Sequence, residues 1–282
     1  MSHPLSLLQG FSPSNLYRDP FPHVIVKNAL PTRICDELRS SFPSLESQGV
    51  DPTANNKRWS TPARIGMVLP SLPHIWTQLL AYHISQEFLN EVLSVFSQDL
   101  LSRYPEMFPT PEALTSQHAV LRGGENVPTK ALALDAQISG NTPVKTPGQP
   151  NKVHFDATNA LYAGLYYLRD DEDDSIGGDL QLWRWKPGYS NRKKASEYDE
   201  NISPRHIELV KTIRYEANTF VLLLNGIDSL HSVTRREPTP HTRKFVNLLA
   251  DSSANFFSLN PLPHLRIRNA FRRRIRRHLQ VR

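Results

Sequence analysis

The sequence predicts an α+β chain that is mainly β: two packed antiparallel sheets, backed by helices from the N-terminal part. Three observations point there. Between about residues 131 and 249, short apolar runs of strand length alternate with Gly-, Pro- and Asp-containing connections. Long-period apolar stripes, the mark of amphipathic helices, stop near residue 104. A His-x-Asp pair and a distant His sit beside the strand-like runs, where only strands brought alongside one another would unite them. Two antiparallel sheets packed in this way form a jelly roll, also called a double-stranded β-helix.

The elements follow in order. Residues 1–20 read as an irregular arm and 21–28 as a strand. A helix follows Pro31, with Ile34, Leu38 and Phe42 on one stripe. A polar loop spans 48–57. A long helical region covers about 72–104, with Ser85 placed to cap a second segment. These helices are expected to back one face of a sheet. Residues 131–138 alternate like a strand, and a Pro/Thr/Gly-rich loop, 140–150, is expected to act as a lid beside the site. Leu165-Tyr166-Tyr167-Leu168 and Gly177-Gly178-Asp179-Leu180-Gln181-Leu182-Trp183 read as antiparallel strands joined through the acidic turn 170–174. That turn is expected to be a solvated one, with attraction of a cationic substrate as the alternative. A polar insertion covers 190–205. Strands then lead through Phe220-Val221-Leu222-Leu223-Leu224 to about Leu249.

The chain of 282 residues can bury a full core, and it is expected to be a single domain: about 1–125 helical support, about 130–255 catalytic core, and 263–282 a basic helix. Its one cysteine, Cys35, allows no internal disulfide and reads as core filler. No apolar run is long enough to span a membrane, and the first ten residues do not form a signal peptide, so a cytoplasmic location is expected. The net charge of +6 is concentrated: the last 20 residues hold eight arginines and no acid, which leaves the body at −2. A uniform nucleic-acid surface is therefore not expected. In the tail, Ile267, Phe271, Ile275 and Leu279 recur every four residues among arginines, the pattern of an amphipathic helix. Packing on the body or on a second subunit, as in a homo-oligomer, is its expected role.

The chemistry centres on His154, Asp156 and His231. In a strand, residues two apart share a side, so His154 and Asp156 can reach one ion together. Two imidazoles and one carboxylate are the facial ligand set of Fe(II), with positions left open for small molecules and O₂. Arg243 opens the apolar run Thr242-Arg243-Lys244-Phe245-Val246-Asn247-Leu248, 12 residues past His231. Its fork suits a carboxylate. Lys244 is the rival anchor, and alternation places it on the opposite strand face from Arg243, Phe245 and Asn247.

Taken together, His-x-Asp, Tyr-Tyr-Leu, Gly-Gly-x-Leu, His and Thr-Arg-x-x-x-Asn, in that order over 154–247, resemble the Fe(II)/2-oxoglutarate-dependent dioxygenases. The closer likeness is to their prolyl-hydroxylase branch, including the hypoxia-type enzymes. The resemblance implies His154, Asp156 and His231 as iron ligands. It implies Arg243 and Tyr167 as partners of the distal carboxylate of 2-oxoglutarate, Asn247 as a neighbour of that co-substrate and Leu180 as a wall of its pocket. Fe(II), 2-oxoglutarate and O₂ are the implied cofactor and co-substrates. The interval from His231 to Arg243 is longer than in the hypoxia-type enzymes, with Pro238, Pro240 and His241 inserted. Loops of this kind shape the substrate pocket.

The expected activity is hydroxylation of a small molecule, an amino acid or a secondary metabolite, with a cyanobacterial alkaloid toxin as the specific guess. A protein prolyl residue is the alternative substrate. The rival classes are a non-enzymatic metal-binding jelly roll and a nucleic-acid demethylase gripping through the arginine tail.

Overall fold

The structure, a computed structural model, describes residues 5–123, 127–189 and 202–258. The tail 263–282 and most of the insertion 190–205 lie outside the described residues.

Alternation along the strands organises everything else. In β5 (Ala131–Asn141), β6 (Ala160–Tyr167), β9 (Thr219–Leu224) and β11 (Arg243–Ser252), side chains divide strictly between two faces. Leu132, Leu134, Ala136 and Ile138 share one face with Tyr162, Tyr166, Phe220, Leu222, Val246 and Leu248. That face packs on Trp76, Leu79 and Leu80 of α3 (His74–His83) and on Phe88, Leu89 and Val92 of α4 (Gln86–Val95). The opposite face contributes Tyr167, Val221, Leu223 and Phe245, which pack on Leu180, Leu182 and Ile213 of a second sheet and on Tyr215 just beyond it. Because both of its faces are covered, β9 is buried along its whole length, which is why it reads as an uninterrupted apolar run.

The first sheet has eight strands. With β1 (Leu16–Tyr17), β2 (His23–Lys27) and β3 (Arg58–Thr61), its order is β1-β2-β9-β6-β11-β5-β3; β4 (His118–Leu121) runs parallel beside the start of β5. The second sheet is β10-β7-β8, formed by β7 (Leu180–Trp185), β8 (Ile207–Ile213) and β10 (His231–Val233). The layers are therefore helices, large sheet, small sheet. The fold is α+β and sheet-rich, with six helices among the described residues. None of these helices is long and apolar enough to cross a membrane.

The helical prediction is met in parts. The helix after Pro31 is α1 (Thr32–Ser40), with Leu38 buried and Ile34 and Phe42 packed at the edge of the core. The region 72–104 divides into α3, α4 and α5 (Ser97–Arg103). Ser85 caps α4, its side chain accepting from the Phe88 N–H at 3.3 Å. Two short helices, α2 (Ala63–Gly66) and α6 (Pro111–Thr115), were not predicted.

Three other readings change. The arm is not loose: residues 5–8 are buried, with the Leu7 N–H donating to His83 Nε2. The strands β6 and β7 do not pair; they lie in opposite sheets, and the acidic turn between them crosses the sandwich. That turn is solvated as expected, with Asp171, Glu172 and Asp174 exposed, and ion pairs also pin it: Asp170 to Lys244, Asp171 to Arg39 and Asp173 to Arg169. The 140–150 segment is also held. Gly140 and Asn141 belong to β5, Val144 and Gly148 form backbone bridges to Thr239 and Arg236, and Asn55 Oδ1 accepts from the Lys145 and Thr146 N–H groups. A segment laced this way has the bonding of a fixed wall, not that of a free lid.

Candidate metal centre

His231 opens β10, and its backbone pairs with that of His154: each N–H donates to the other's carbonyl, at 2.8 and 3.0 Å. His154 is thus a single bridge added to the edge of the small sheet, and Asp156 lies in the loop beyond it. The sequence reading placed both on one regular strand. One paired residue is enough to fix the direction of His154, and the chain then curves Asp156 back toward both rings.

The three side chains converge. One ligand atom from each lies within 4.8 Å of the other two. Asp156 oxygens stand 3.9 Å from Nε2 of His154 and 3.9 Å from Nε2 of His231, too far for hydrogen bonds. Each ring donates its Nδ1–H to a backbone carbonyl, His154 to Lys152 at 2.7 Å and His231 to Ser229 at 2.9 Å. A carbonyl only accepts, so both rings carry the proton on Nδ1 and turn a free Nε2 lone pair to the centre. Burial, reinforced by the neighbouring His231, lowers the pKa of His154 to about 4 and keeps its ring neutral. Two imidazoles that turn Nε2 to the centre and one carboxylate without a hydrogen-bond donor among the described residues fit a divalent cation.

The centre opens into a cavity of about 310 Å³ between the sheets. Arg58, Gln137, Asn141, Leu165, Leu180, Arg243 and Asn247 are among its walls. Register explains the pattern. Arg243, Phe245, Asn247 and Leu249 are the inward set of β11, and Gln137, Ser139 and Asn141 are their partners on β5. Lys244 points to the other face and pairs with Asp170 at 2.5 Å.

Arg243 is 2% exposed. Its Nε donates to the Gly178 carbonyl at 2.8 Å, and its guanidinium lies against the rings of Tyr167, Tyr215 and Phe245 at 5.1, 5.1 and 4.8 Å. Its Nη2 and the Tyr167 hydroxyl are buried with no hydrogen bond of ordinary geometry, although the two groups lie close enough for the guanidinium to act on that hydroxyl. Gly178 allows the approach: φ is +85°, and a Cβ there would stand 3.1 Å from Arg243 Cδ. An orphaned guanidinium nitrogen inside a cavity is what a carboxylate would satisfy.

The structure thus brings His154, Asp156, His231, Arg243, Asn247 and Leu180 to one cavity. Asn247 donates to Gln137 Oε1 at 3.1 Å. Tyr167 stands behind Arg243 rather than on the wall, stacked edge-on to Tyr215. Sequence reasoning missed Arg58, Arg122, Gln137 and Asn141. Arg58 had one local signal, the alternation of polar Arg58 and Ser60 with buried Trp59 and Thr61.

No protein-family model matches the chain, and no curated protein matches it. Solved structures similar to it include oxygenases and prolyl hydroxylases. The non-heme alpha-ketoglutarate-dependent carbocyclase SnoK from nogalamycin biosynthesis is 12% identical, covering 89% of this chain and 88% of its own, at a TM-score of 0.48. A Pseudomonas putida prolyl-4-hydroxylase is 11% identical, covering 82% and 93%, at 0.43. HygX from Streptomyces hygroscopicus, solved with nickel and 2-oxoglutarate bound, is 14% identical, covering 84% of each chain, at 0.40. These likenesses are distant, and what the site can do follows from its own residues.

Proposed function

We propose that this chain is an Fe(II)- and 2-oxoglutarate-dependent hydroxylase of a small molecule, built on a double-stranded β-helix. One observation carries the reading. A His-Asp-His cluster with both Nε2 lone pairs free shares a cavity with a buried arginine that has an unsatisfied nitrogen.

His154, Asp156 and His231 would hold the iron, and the carbonyls of Lys152 and Ser229 keep the two rings in the ligating tautomer. Arg243 would clamp the distal carboxylate of 2-oxoglutarate. The rings of Tyr167, Tyr215 and Phe245 around it exclude water, which strengthens a charged pair. Leu180 and Leu165 provide the apolar side of the pocket, and Asn247 with Gln137 the polar side. When bound, iron and 2-oxoglutarate supply decarboxylation coupled to hydroxylation of a C–H bond by O₂. The chain supplies ligand geometry, the anchor and a dry wall.

A small substrate fits the outer approach to the centre, a second cavity of about 420 Å³ that shares Arg58, Arg122, His154 and Asp156 with the inner one. A purely structural metal site would have no use for an arginine held unpaired behind the ligands, which separates this reading from a non-enzymatic jelly roll. The demethylase reading rests on a tail outside the described residues.

The test is anaerobic metal binding followed by succinate formation. Wild-type protein should bind one Fe(II) and release succinate from 2-oxoglutarate; His154→Ala and Asp156→Ala should lose both. Unchanged iron content in both variants would overturn the assignment.

A further inference from the structure

Arg58 is a cation without a counter-ion. Among the described residues its guanidinium has no hydrogen-bond or ion-pair partner; it lies 5.6 Å from the centroid of the Phe245 ring and feels the charge of Asp156 at longer range. It is not a stray surface arginine. Arg58 pairs in register with Asn141, and Asn141 pairs with Arg243, so the three form a row across β3, β5 and β11. Cross-strand partners share a face, and neighbouring strands are about 4.8 Å apart. The two arginine α-carbons therefore stand roughly 10 Å apart on the cavity wall. Its side chain is open to solvent at the cavity mouth; crowding there and repulsion by Arg243 lower its pKa, and Asp156 opposes the shift.

The other charges nearby are accounted for. Arg122 donates to Asp251 at 2.6 Å, and Asp156 belongs to the metal cluster. Lys152, exposed on the rim of the outer cavity, adds a further positive charge with no partner among the described residues. Arg243 lines only the inner cavity, whereas Arg58 lines both. On the reading above, 2-oxoglutarate spends one carboxylate on Arg243 and the other on the metal, and neither is left for Arg58.

We infer that Arg58 receives an anionic group, a carboxylate or a phosphate, on the molecule to be hydroxylated, so the substrate class is a small organic acid. This inference rests on the proposed function. It also runs against a cationic substrate, since none of the acids of the 170–174 turn lines either cavity.

The test uses full-length protein loaded with Mn(II) and 2-oxoglutarate, so that no turnover occurs. Benzoate, phenyl phosphate and the neutral isostere benzamide are added in turn, and broadening of their ring protons by Mn(II) is read by NMR. Benzoate or phenyl phosphate should be broadened and benzamide not, and the stronger of the two names the anion. Arg58→Gln should weaken that binding about tenfold or more and leave 2-oxoglutarate affinity, measured by calorimetry, unchanged. Equal broadening by benzamide, or full retention of anion binding in Arg58→Gln, would overturn the inference. So would a loss of 2-oxoglutarate affinity in that variant, which would move Arg58 to the co-substrate. If wild-type protein binds no Mn(II) by electron paramagnetic resonance, the iron reading fails separately. Saturation transfer from metal-free protein to benzoate, compared with Arg58→Gln, then still decides whether the anion site exists.

Discussion

Replacing Arg243 by Met keeps most of the apolar stem and removes the fork. In the structure that fork makes one hydrogen bond, to the Gly178 carbonyl, and leaves Nη2 buried and unpaired beside three aromatic rings. An incoming carboxylate would complete a charged pair out of contact with bulk water. Removing one partner of such a pair costs about 2–5 kcal/mol of binding, which is roughly 30- to 5,000-fold in 2-oxoglutarate affinity. Iron ligation should be unaffected, since none of His154, Asp156 and His231 bonds to Arg243. Calorimetric titration of 2-oxoglutarate into Mn(II)-loaded protein reads the first quantity, and metal stoichiometry reads the second. Lys244→Ala is the control. Its ammonium pairs with Asp170 on the other side of the sheet, and losing a partly exposed pair of that kind costs about 1 kcal/mol of stability. If Lys244→Ala weakens 2-oxoglutarate binding and Arg243→Met does not, the strand phase assigned to the anchor is wrong.

Two predictions concern the frame. His23 is fully buried, with Nε2 unpartnered, and burial lowers its pKa to about 4 from an unfolded value of 6.5. Between those values the unfolded chain binds a proton that the folded chain refuses, so stability is lost as pH falls through that window, about 3 kcal/mol in all. Urea unfolding of His23→Asn should show a flatter pH dependence than wild type; identical slopes would exclude His23 as the source. Gly177 has φ +87°, and a Cβ there would overlap the Arg235 carbonyl oxygen, whereas Gly188 has φ +80° with nothing within 4 Å of its added Cβ. Gly177→Ala should therefore lower the melting temperature by several degrees more than Gly188→Ala, whose cost is backbone strain of about 1 kcal/mol; equal shifts would show that the clash is relieved at no cost.

What could be read from the sequence was set by strand period. Arg243 was separable from Lys244 because β11 alternates without interruption from Arg243 to Leu248, so one phase decision placed every side chain. His231 was readable because it follows the fully apolar β9, a strand buried on both faces. Pairing was a different matter. Leu165–Leu168 and Leu180–Trp183 look like the two arms of one hairpin, since each is apolar and a turn lies between them. Their partners are β9 and β11 in one case and β8 and β10 in the other. Local pattern fixes which face a residue takes but not which neighbour lies beside it.

Arg58 shows the consequence most clearly. It occupies a four-residue strand far from every motif, and its own stretch says only that it faces away from Trp59. Its position opposite Asn141, and through Asn141 beside Arg243, depends on β5 being shared by β3 and β11, pairings that close loops of about 80 and 100 residues. A second arginine in the row of the first is therefore a property of register, invisible in any window of sequence. Yet the two arginines differ in what surrounds them. Arg243 is enclosed by rings and opens on the inner cavity alone, as an anchor for a co-substrate common to every turnover should be. Arg58 stands at the edge strand where the inner and outer cavities join, the position from which a charged side chain can select the molecule that arrives second.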